Sequence, residues 1–154
     1  MTSAIEIKLA ELGVSLPDAP AAAGNYVPYV IAGDMVYISG QISMDASGLI
    51  KGKLGDDYTV DQGMAAAKTC AINLLTQLKA ACDGDLDRLV QVVKLGGFVN
   101  STSDFVDQPK VINGASDFFV AALGDIGRHA RAAVSAPNLP MGVAVEIDGV
   151  FQIK

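Results

Sequence analysis

The segment 59–82 constrains the fold more than any other part of the sequence. Its apolar residues recur at steps of three and four, as on one face of a helix, and are Val60, Met64, Ala67, Ala71, Leu74, Leu75 and Leu78. Thr59 and Gln62 have the spacing of a capping box at the start of this helix. A long helix with one apolar face has to pack against a second layer, which the rest of the chain must supply.

Two further segments have helical spacing. Residues 3–12 predict a short helix that ends at Gly13, and residues 109–123 predict the second main helix, which ends at Gly124. Residues 17–24 predict a connector, because two prolines and a glycine disfavour regular structure there.

The remaining segments are rich in β-branched and aromatic residues and predict strands. They are 26–31, 35–40, 89–99, 129–136 and 142–153. Gly33 and Asp34 supply a hairpin turn between the first two, and Gly96 and Gly97 predict a bulge or a close backbone approach in the third. The glycine-rich stretch 45–57 predicts a loop.

The order α-β-β-α-β-α-β-β predicts an α+β two-layer fold, with a mixed sheet and the two main helices on one of its faces. We expect a single domain over residues 1–154. Charged residues make up only 18% of the chain, below the roughly 25% usual for soluble domains. The other face of the sheet needs a cover, and self-association is the simplest one.

Composition and charge argue against several classes of function. The net charge of −6 disfavours nucleic acid as a partner, and no apolar run reaches the length that crosses a membrane. Glu6 and Lys8 interrupt the apolar core that a signal peptide would need, so we expect a cytoplasmic protein. No glycine pattern of a nucleotide site is present.

The two cysteines and the single histidine provide no zinc-type ligand set. Cys70 and Cys82 lie on the long predicted helix, about 18 Å apart along its axis, which is too far for a disulfide. We therefore expect two reduced, buried thiols.

The last two predicted strands each have one apolar and one partly polar face. Pairing them as a hairpin centred between residues 138 and 139 would place Arg131 opposite Glu146, with Cβ atoms about 5 Å apart. One alternative is that this is a structural ion pair without a functional role. Another is that the two residues do not meet, because the loop contains a bulge or the two strands are not neighbours. His129 is interpreted as a packed or solvated ring, and the alternative is that it lines a site and titrates near neutral pH. The sequence indicates no nucleophile beside it.

Four segments carry a resemblance to a known family. They are Gly24-Asn25-Tyr26, Val36-Tyr37-Ile38-Ser39-Gly40-Gln41, Ala130-Arg131-Ala132-Ala133-Val134 followed by Leu139-Pro140, and Val145-Glu146-Ile147. In this order and spacing they resemble the reactive-intermediate deaminase family, also called RidA/YjgF or endoribonuclease L-PSP. The resemblance runs from Gly24 to the C-terminus, and residues 1–23 form the N-terminal helix and connector. That helix and the stretch 127–131 look like a divergent branch.

The resemblance implies a chorismate-mutase-like fold assembled as a homotrimeric barrel, with clefts between adjacent subunits. It also implies hydrolysis of reactive 2-imino and 2-enamine acids to 2-keto acids and ammonia, with no cofactor and no metal. The expected partners are then a small imino or keto acid and other copies of the chain, with no nucleic acid and no membrane.

The site residues follow from the same resemblance. Arg131 matches the arginine that binds the substrate carboxylate, and its planar guanidinium suits that task. Glu146 matches the glutamate that orients or activates water. Residues matched to the cleft lining are Tyr26, Ser39, Gly40 and Asn113.

Two positions depart from the family pattern. Ala133 stands where many members have a cysteine, and Ser116 stands where an aromatic residue is usual. Substrate preference and turnover therefore stay open at this point. The alternatives are a carboxylate-binding or regulatory protein without catalysis and, less favoured by the acidic net charge, an endoribonuclease.

Overall fold

A computed structural model describes residues 2–22 and 24–154. Over these residues the helices are α1 (Ala4–Glu11), α2 (Val60–Ala81) and α3 (Gln108–Leu123). The strands are β1 (Tyr29–Ala32), β2 (Met35–Ile42), β3 (Met44–Asp45), β4 (Gly48–Leu49), β5 (Leu89–Asn100), β6 (Ala130–Ala136) and β7 (Val145–Ile153).

The helix ends agree with the sequence signals. The Thr59 hydroxyl accepts a hydrogen bond from the Gln62 amide at 3.2 Å, and the Gln62 side chain accepts one from the Thr59 amide at 2.9 Å. Gly124 ends α3 with a φ of +67°, a conformation that glycine adopts readily. Connector 17–24 contains no helix or strand in its described residues, and Ala23 lies outside them.

Five strands form one mixed sheet in the order β1-β2-β7-β5-β6. Neighbouring strands are antiparallel except β5 and β6, which are parallel. The predicted mixed sheet is confirmed, but the predicted pairing of the last two strands is wrong, because β5 lies between them.

The connection 137–144 explains that error. It is long enough to step over the end of β5, where Asn100 donates its side-chain amide to the Val143 carbonyl at 3.1 Å. The Asn100 main-chain N–H also donates to the carbonyl of Ala144 at 2.9 Å. A hairpin turn was expected where the chain instead crosses a neighbouring strand.

The helices pack on one face of this sheet. Val145, Ile147 and Phe151 of β7 point toward them and are fully buried, whereas Glu146 and Asp148 alternate onto the other face. That second face, called here the open face, leaves about half of the Val30, Tyr37 and Val134 side-chain surfaces exposed (52%, 49% and 47%). The expected uncovered sheet face is therefore present in the single chain.

Smaller features resolve the alternatives left by the sequence. A Cβ at Gly97 would lie 2.7 Å from Ile112 of α3, so the glycine pair marks a close approach, and the bulges of β5 lie nearer its start. The stretch 45–57 is mostly loop, but β3 and β4 form a short hairpin at its beginning.

Cys70 and Cys82 are free and buried, as expected. No helix among the described residues is long and apolar enough to span a membrane.

Candidate functional site

Arg131 lies on the edge strand β6 and its side chain points toward α3. Its Nη1 donates to the Ser116 hydroxyl at 3.0 Å, and its Nη2 donates to the Pro109 carbonyl at 3.1 Å. The residue is half-buried. These two bonds fix the guanidinium against the first turns of the helix.

No carboxylate in the described part of the chain forms an ion pair with this arginine. The ion pairs of the described residues involve other side chains, and none includes Arg131. A guanidinium has five N–H donors, of which two are used here. Nε and one hydrogen on each terminal nitrogen are left, which is enough for a bidentate carboxylate.

His129 contacts the same serine. Its Nε2 lies 2.8 Å from the Ser116 hydroxyl oxygen, and its Nδ1 lies 2.6 Å from the Gly127 carbonyl oxygen. Because a carbonyl only accepts, Nδ1 carries the proton, and Nε2 then accepts from the serine hydroxyl. Burial lowers the pKa of His129, against the effect of the Gly127 hydrogen bond, and the charge of Arg131 lowers it further.

Sequence reasoning missed this partnership. His129 packs against Phe119, in agreement with one of the sequence alternatives, but it also has a hydroxyl partner that the sequence did not indicate. The signal was the spacing of Pro109 and Ser116 on α3, which puts both on the side of the helix that faces β6. Nothing in the sequence showed that β6 lies beside this helix.

Asn113 belongs to the same surface. It follows Pro109 by four residues and precedes Ser116 by three, so it shares the helix face that Arg131 contacts. Its half-buried side chain forms no hydrogen bond with the described part of the chain. We call Arg131, Ser116, His129 and Asn113 the anchor cluster.

Glu146 lies on the open face of the sheet. Its carboxylate covers Gly40 of β2 so closely that a Cβ at position 40 would overlap it. Burial raises the pKa of Glu146, and the neighbouring Asp148 carboxylate raises it further. Within the described residues, the carboxylate forms no ion pair.

Ser39 and Gly40, also matched to the cleft, are neighbours on β2, where the carboxylate covers Gly40. The Ser39 hydroxyl donates to the Val27 carbonyl at 2.7 Å and so fastens the segment 25–28, which precedes β1, to β2. Tyr26 lies in the same segment and is 58% exposed. A shallow groove of about 420 Å³ runs along the open face, and its lining includes Ser39, Gly40 and Asp148. We call Tyr26, Ser39, Gly40 and Glu146 the carboxylate cluster.

One chain does not bring the two clusters together. Arg131 is in register with the buried Leu95 and points to the helices, whereas Glu146 is in register with Phe98 and points to the open face. The expected cross-strand pair of Arg131 and Glu146 is therefore wrong. A site that uses both side chains requires two copies of the chain.

The fold and this pair of clusters define the class of protein, an α+β chain of chorismate-mutase-like architecture. Residues 6–148 match the family described as "YjgF/chorismate_mutase-like, putative endoribonuclease". The chain belongs to this family.

Three individual proteins show how it is related to others. Protein TCP17 of Trypanosoma cruzi is 46% identical over 152 residues, which cover 97% of this chain and 94% of that protein. The crystal structure of Atu1372 from Agrobacterium tumefaciens, a protein with unknown function, has a TM-score of 0.91 at 46% identity and covers 97% and 92% of the two chains. The 2-iminobutanoate/2-iminopropanoate deaminase of Rattus norvegicus is 32% identical over 138 residues, 89% of this chain and 86% of that protein.

Proposed function

We propose that this chain hydrolyses reactive 2-imino and 2-enamine acids to 2-keto acids and ammonia, at a site shared by two copies. Arg131 of one copy binds the substrate carboxylate, and Glu146 of another positions the water. The observation that carries the proposal is the half-buried, hydrogen-bonded Arg131, which has no carboxylate partner among the residues that the structure describes. The related deaminase supports the reaction class.

The anchor cluster is suited to holding an anion beside an electrophilic carbon. Arg131 is already oriented by Ser116 and Pro109, so little side-chain freedom is lost when a carboxylate binds. The side-chain amide of Asn113 lies on the same helix face and offers a further donor. The C=N carbon, one bond from the carboxylate, is then held in place.

The carboxylate cluster is suited to holding the water. Because burial and the Asp148 charge raise the pKa of Glu146, it is a better proton acceptor than an ordinary surface carboxylate. Gly40 leaves the space that the carboxylate occupies, since any larger residue would displace it. A water bound there needs no metal or covalent nucleophile to reach an activated imine.

The assembly that joins the clusters is proposed to be a homotrimer. The anchor cluster lies at the free edge strand β6, and the carboxylate cluster lies on a face with exposed apolar side chains. Placing the edge of one copy on the open face of the next buries that apolar surface. A closed ring of copies repeats the same contact at each junction.

The test is ammonia release from imino acids generated in solution by an amino-acid oxidase, with peroxide removed by catalase. Arg131→Ala should lower kcat/KM about 100-fold or more, because the carboxylate loses its charged donor. Arg128→Ala is the matched control: it removes an exposed arginine three residues away, whose partner is Asp125 at 3.6 Å.

Three outcomes would contradict the proposal. An unchanged rate in Arg131→Ala would exclude the anchoring role. Tight binding of pyruvate that depends on Arg131, with no rate above background, would identify a carboxylate-binding protein without turnover. RNA cleavage by the wild type that Arg131→Ala abolishes would instead support an endoribonuclease.

A further inference from the structure

The hydrogen-bond chain from the Gly127 carbonyl through His129 and Ser116 ends at the guanidinium of Arg131. We propose that Ser116 and His129 form a proton relay for the hydrolysis: Ser116 exchanges a proton with the reacting water and amine, and His129 stores it. The inference rests on the proposed function and adds two residues to its chemistry.

The direction of every hydrogen bond in this chain is determined. The Gly127 oxygen can only accept, so Nδ1 of His129 donates, and Nε2 presents a lone pair to the Ser116 hydroxyl at 2.8 Å. The guanidinium can only donate, so one lone pair of the hydroxyl oxygen accepts from Nη1 at 3.0 Å. The second lone pair of that oxygen has no partner among the described residues and is free to take a proton.

The surroundings hold the imidazole in this orientation. A Cβ at Gly127 would overlap the main chain of Phe119, so the glycine lets the turn approach α3 and places its carbonyl under Nδ1. The ring edge-packs against Phe119, with centroids 6.0 Å apart and planes at 76°. The Gly127 carbonyl favours one tautomer, the one that leaves Nε2 free to accept a proton.

The relay lies where the reaction would occur. The Ser116 oxygen is 3.0 Å from the nitrogen that is proposed to hold the carboxylate, and the imine carbon is one bond from that carboxylate. Both relay residues are half-buried, so the ring is partly shielded without being sealed from a bound ligand.

The first step adds water to the protonated imine. A C–O bond forms, and the C=N π pair moves to nitrogen. The proton lost by the water passes to the Ser116 oxygen, while the hydroxyl's own proton passes to Nε2 of His129. The products are a neutral carbinolamine and an imidazolium.

The second step expels ammonia. The imidazolium returns its proton through Ser116 to the amine nitrogen, and the C–N bond breaks with its electron pair leaving on ammonia. The electron pair of the carbinol O–H bond forms the C=O bond of the keto acid, and that proton passes to Glu146. The relay begins and ends in the same protonation state.

Three variants test the relay. Ser116→Ala removes the hydroxyl, Ser116→Thr keeps it, and His129→Gln keeps an acceptor near Nε2 but cannot take up a proton. Ser135→Ala is the matched control, because it removes another β6 hydroxyl, one that bonds Ser101 at 2.7 Å. All are compared by kcat and KM for ammonia release and by the affinity for pyruvate.

We expect Ser116→Ala and His129→Gln to lower kcat about 100-fold, the lower end of the usual range for general acid–base catalysis. Ser116→Thr should recover most of the rate, and the Ser135→Ala control should match the wild type. Pyruvate affinity should stay within about 3-fold in Ser116→Thr, His129→Gln and the control, and should fall by less than about 10-fold in Ser116→Ala, which also loses one of the two hydrogen bonds that orient Arg131. The acid limb of log kcat against pH should approach a slope of about 2 in the wild type, from His129 and Glu146, and about 1 in His129→Gln. The charge of Arg131 on β6 lowers the pKa of His129. The residues of α3 that contact the ring, Phe119 and Ser116, are uncharged.

The results separate the two proposals. If Arg131→Ala abolishes turnover while His129→Gln keeps the wild-type kcat and acid slope, the proposed function stands and the relay is wrong. If Ser116→Ala raises KM alone, the serine only orients Arg131 and the relay is also wrong. If the wild type releases no ammonia above background, the proposed function fails and the relay falls with it.

Discussion

The anchor cluster and the carboxylate cluster differ in how far one chain completes them. In the anchor cluster, each of Arg131, Ser116 and His129 has hydrogen-bond partners from the same chain. In the carboxylate cluster, Glu146 rests on Gly40 with a raised pKa and no ion pair among the described residues. Folding of one chain therefore supplies the hydrogen bonds of the anchor cluster. In the carboxylate cluster, the Glu146 carboxylate stays available to a group that packs on the open face.

This difference predicts complementation between two inactive variants. Arg131→Ala and Glu146→Gln should each lower kcat/KM about 100-fold or more as pure assemblies. When the two are unfolded together and refolded, a junction with Arg131 from one copy and Glu146 from the other forms in about a quarter of cases. Activity should return to about a quarter of the wild-type value in the ammonia assay.

The control is the same two variants mixed after folding, under conditions where subunits do not exchange, which should stay inactive. If the refolded mixture is also inactive while each variant is folded by circular dichroism, the two side chains do not act from different copies.

A smaller effect is expected from Gly40→Ala. The added Cβ overlaps the far end of a flexible side chain, so Glu146 swings aside at little cost in stability, and kcat should fall about 10-fold. Gly96→Ala is the matched control on the same face, because its Cβ would overlap the carboxylate of Asp148 instead. Equal losses of activity in the two variants would show that the open face responds to crowding in general and that Glu146 has no special part.

The contrast between the clusters also shows what the sequence could predict. Periodicity and capping residues were sufficient for α2, since Thr59 and Gln62 act locally and form the expected box. The faces of β7 followed from strict alternation. The Ser116–His129 contact could not be predicted, because it depends on β6 lying beside β5 and under α3, a topology set by the crossing connection 137–144.

The site residues could be selected from the sequence, but their positions relative to one another could not. Arg131 and Glu146 were selected through a family resemblance, yet their geometric relation was predicted wrongly by simple hairpin logic. Strand neighbours that are distant in sequence are decided by packing of the whole sheet, and local spacing contains no information about it. The connection 137–144 joins β6 to β7 across the end of β5, so closeness of two strands in sequence did not show whether they are neighbours in the sheet.

Glu146→Gln should raise stability slightly while lowering activity. Because the folded state raises the pKa of Glu146, the ionised carboxylate opposes folding at pH values above the folded pKa. This cost disappears as the pH falls below the ordinary glutamate pKa of about 4.3. The variant should therefore melt about 1–2 °C higher at pH 7 and show no gain near pH 4, as measured by thermal unfolding.

The same measurement on His129→Gln should give the opposite pH trend. The folded state lowers the pKa of His129, so the wild type loses stability as the pH falls below about 6.5, and the variant should lack that loss. Identical pH profiles of the melting temperature for both variants and the wild type would show that neither group is perturbed by its surroundings.

The smallest change is expected from Ala133→Cys, which introduces the cysteine that the family resemblance leads us to expect two residues after the arginine. Ala133 follows Arg131 by two residues on β6 and is half-buried on the same face, so a thiol fits near the anchor cluster without touching its hydrogen bonds. The rate should stay within about 3-fold of the wild type. Alkylating reagents should inhibit the variant and spare the wild type, whose Cys70 and Cys82 are buried and have pKa values raised by burial. Inhibition of the wild type at the same reagent concentration would mean that a native thiol opens to solvent, and that the site is less firmly built than its hydrogen bonds indicate.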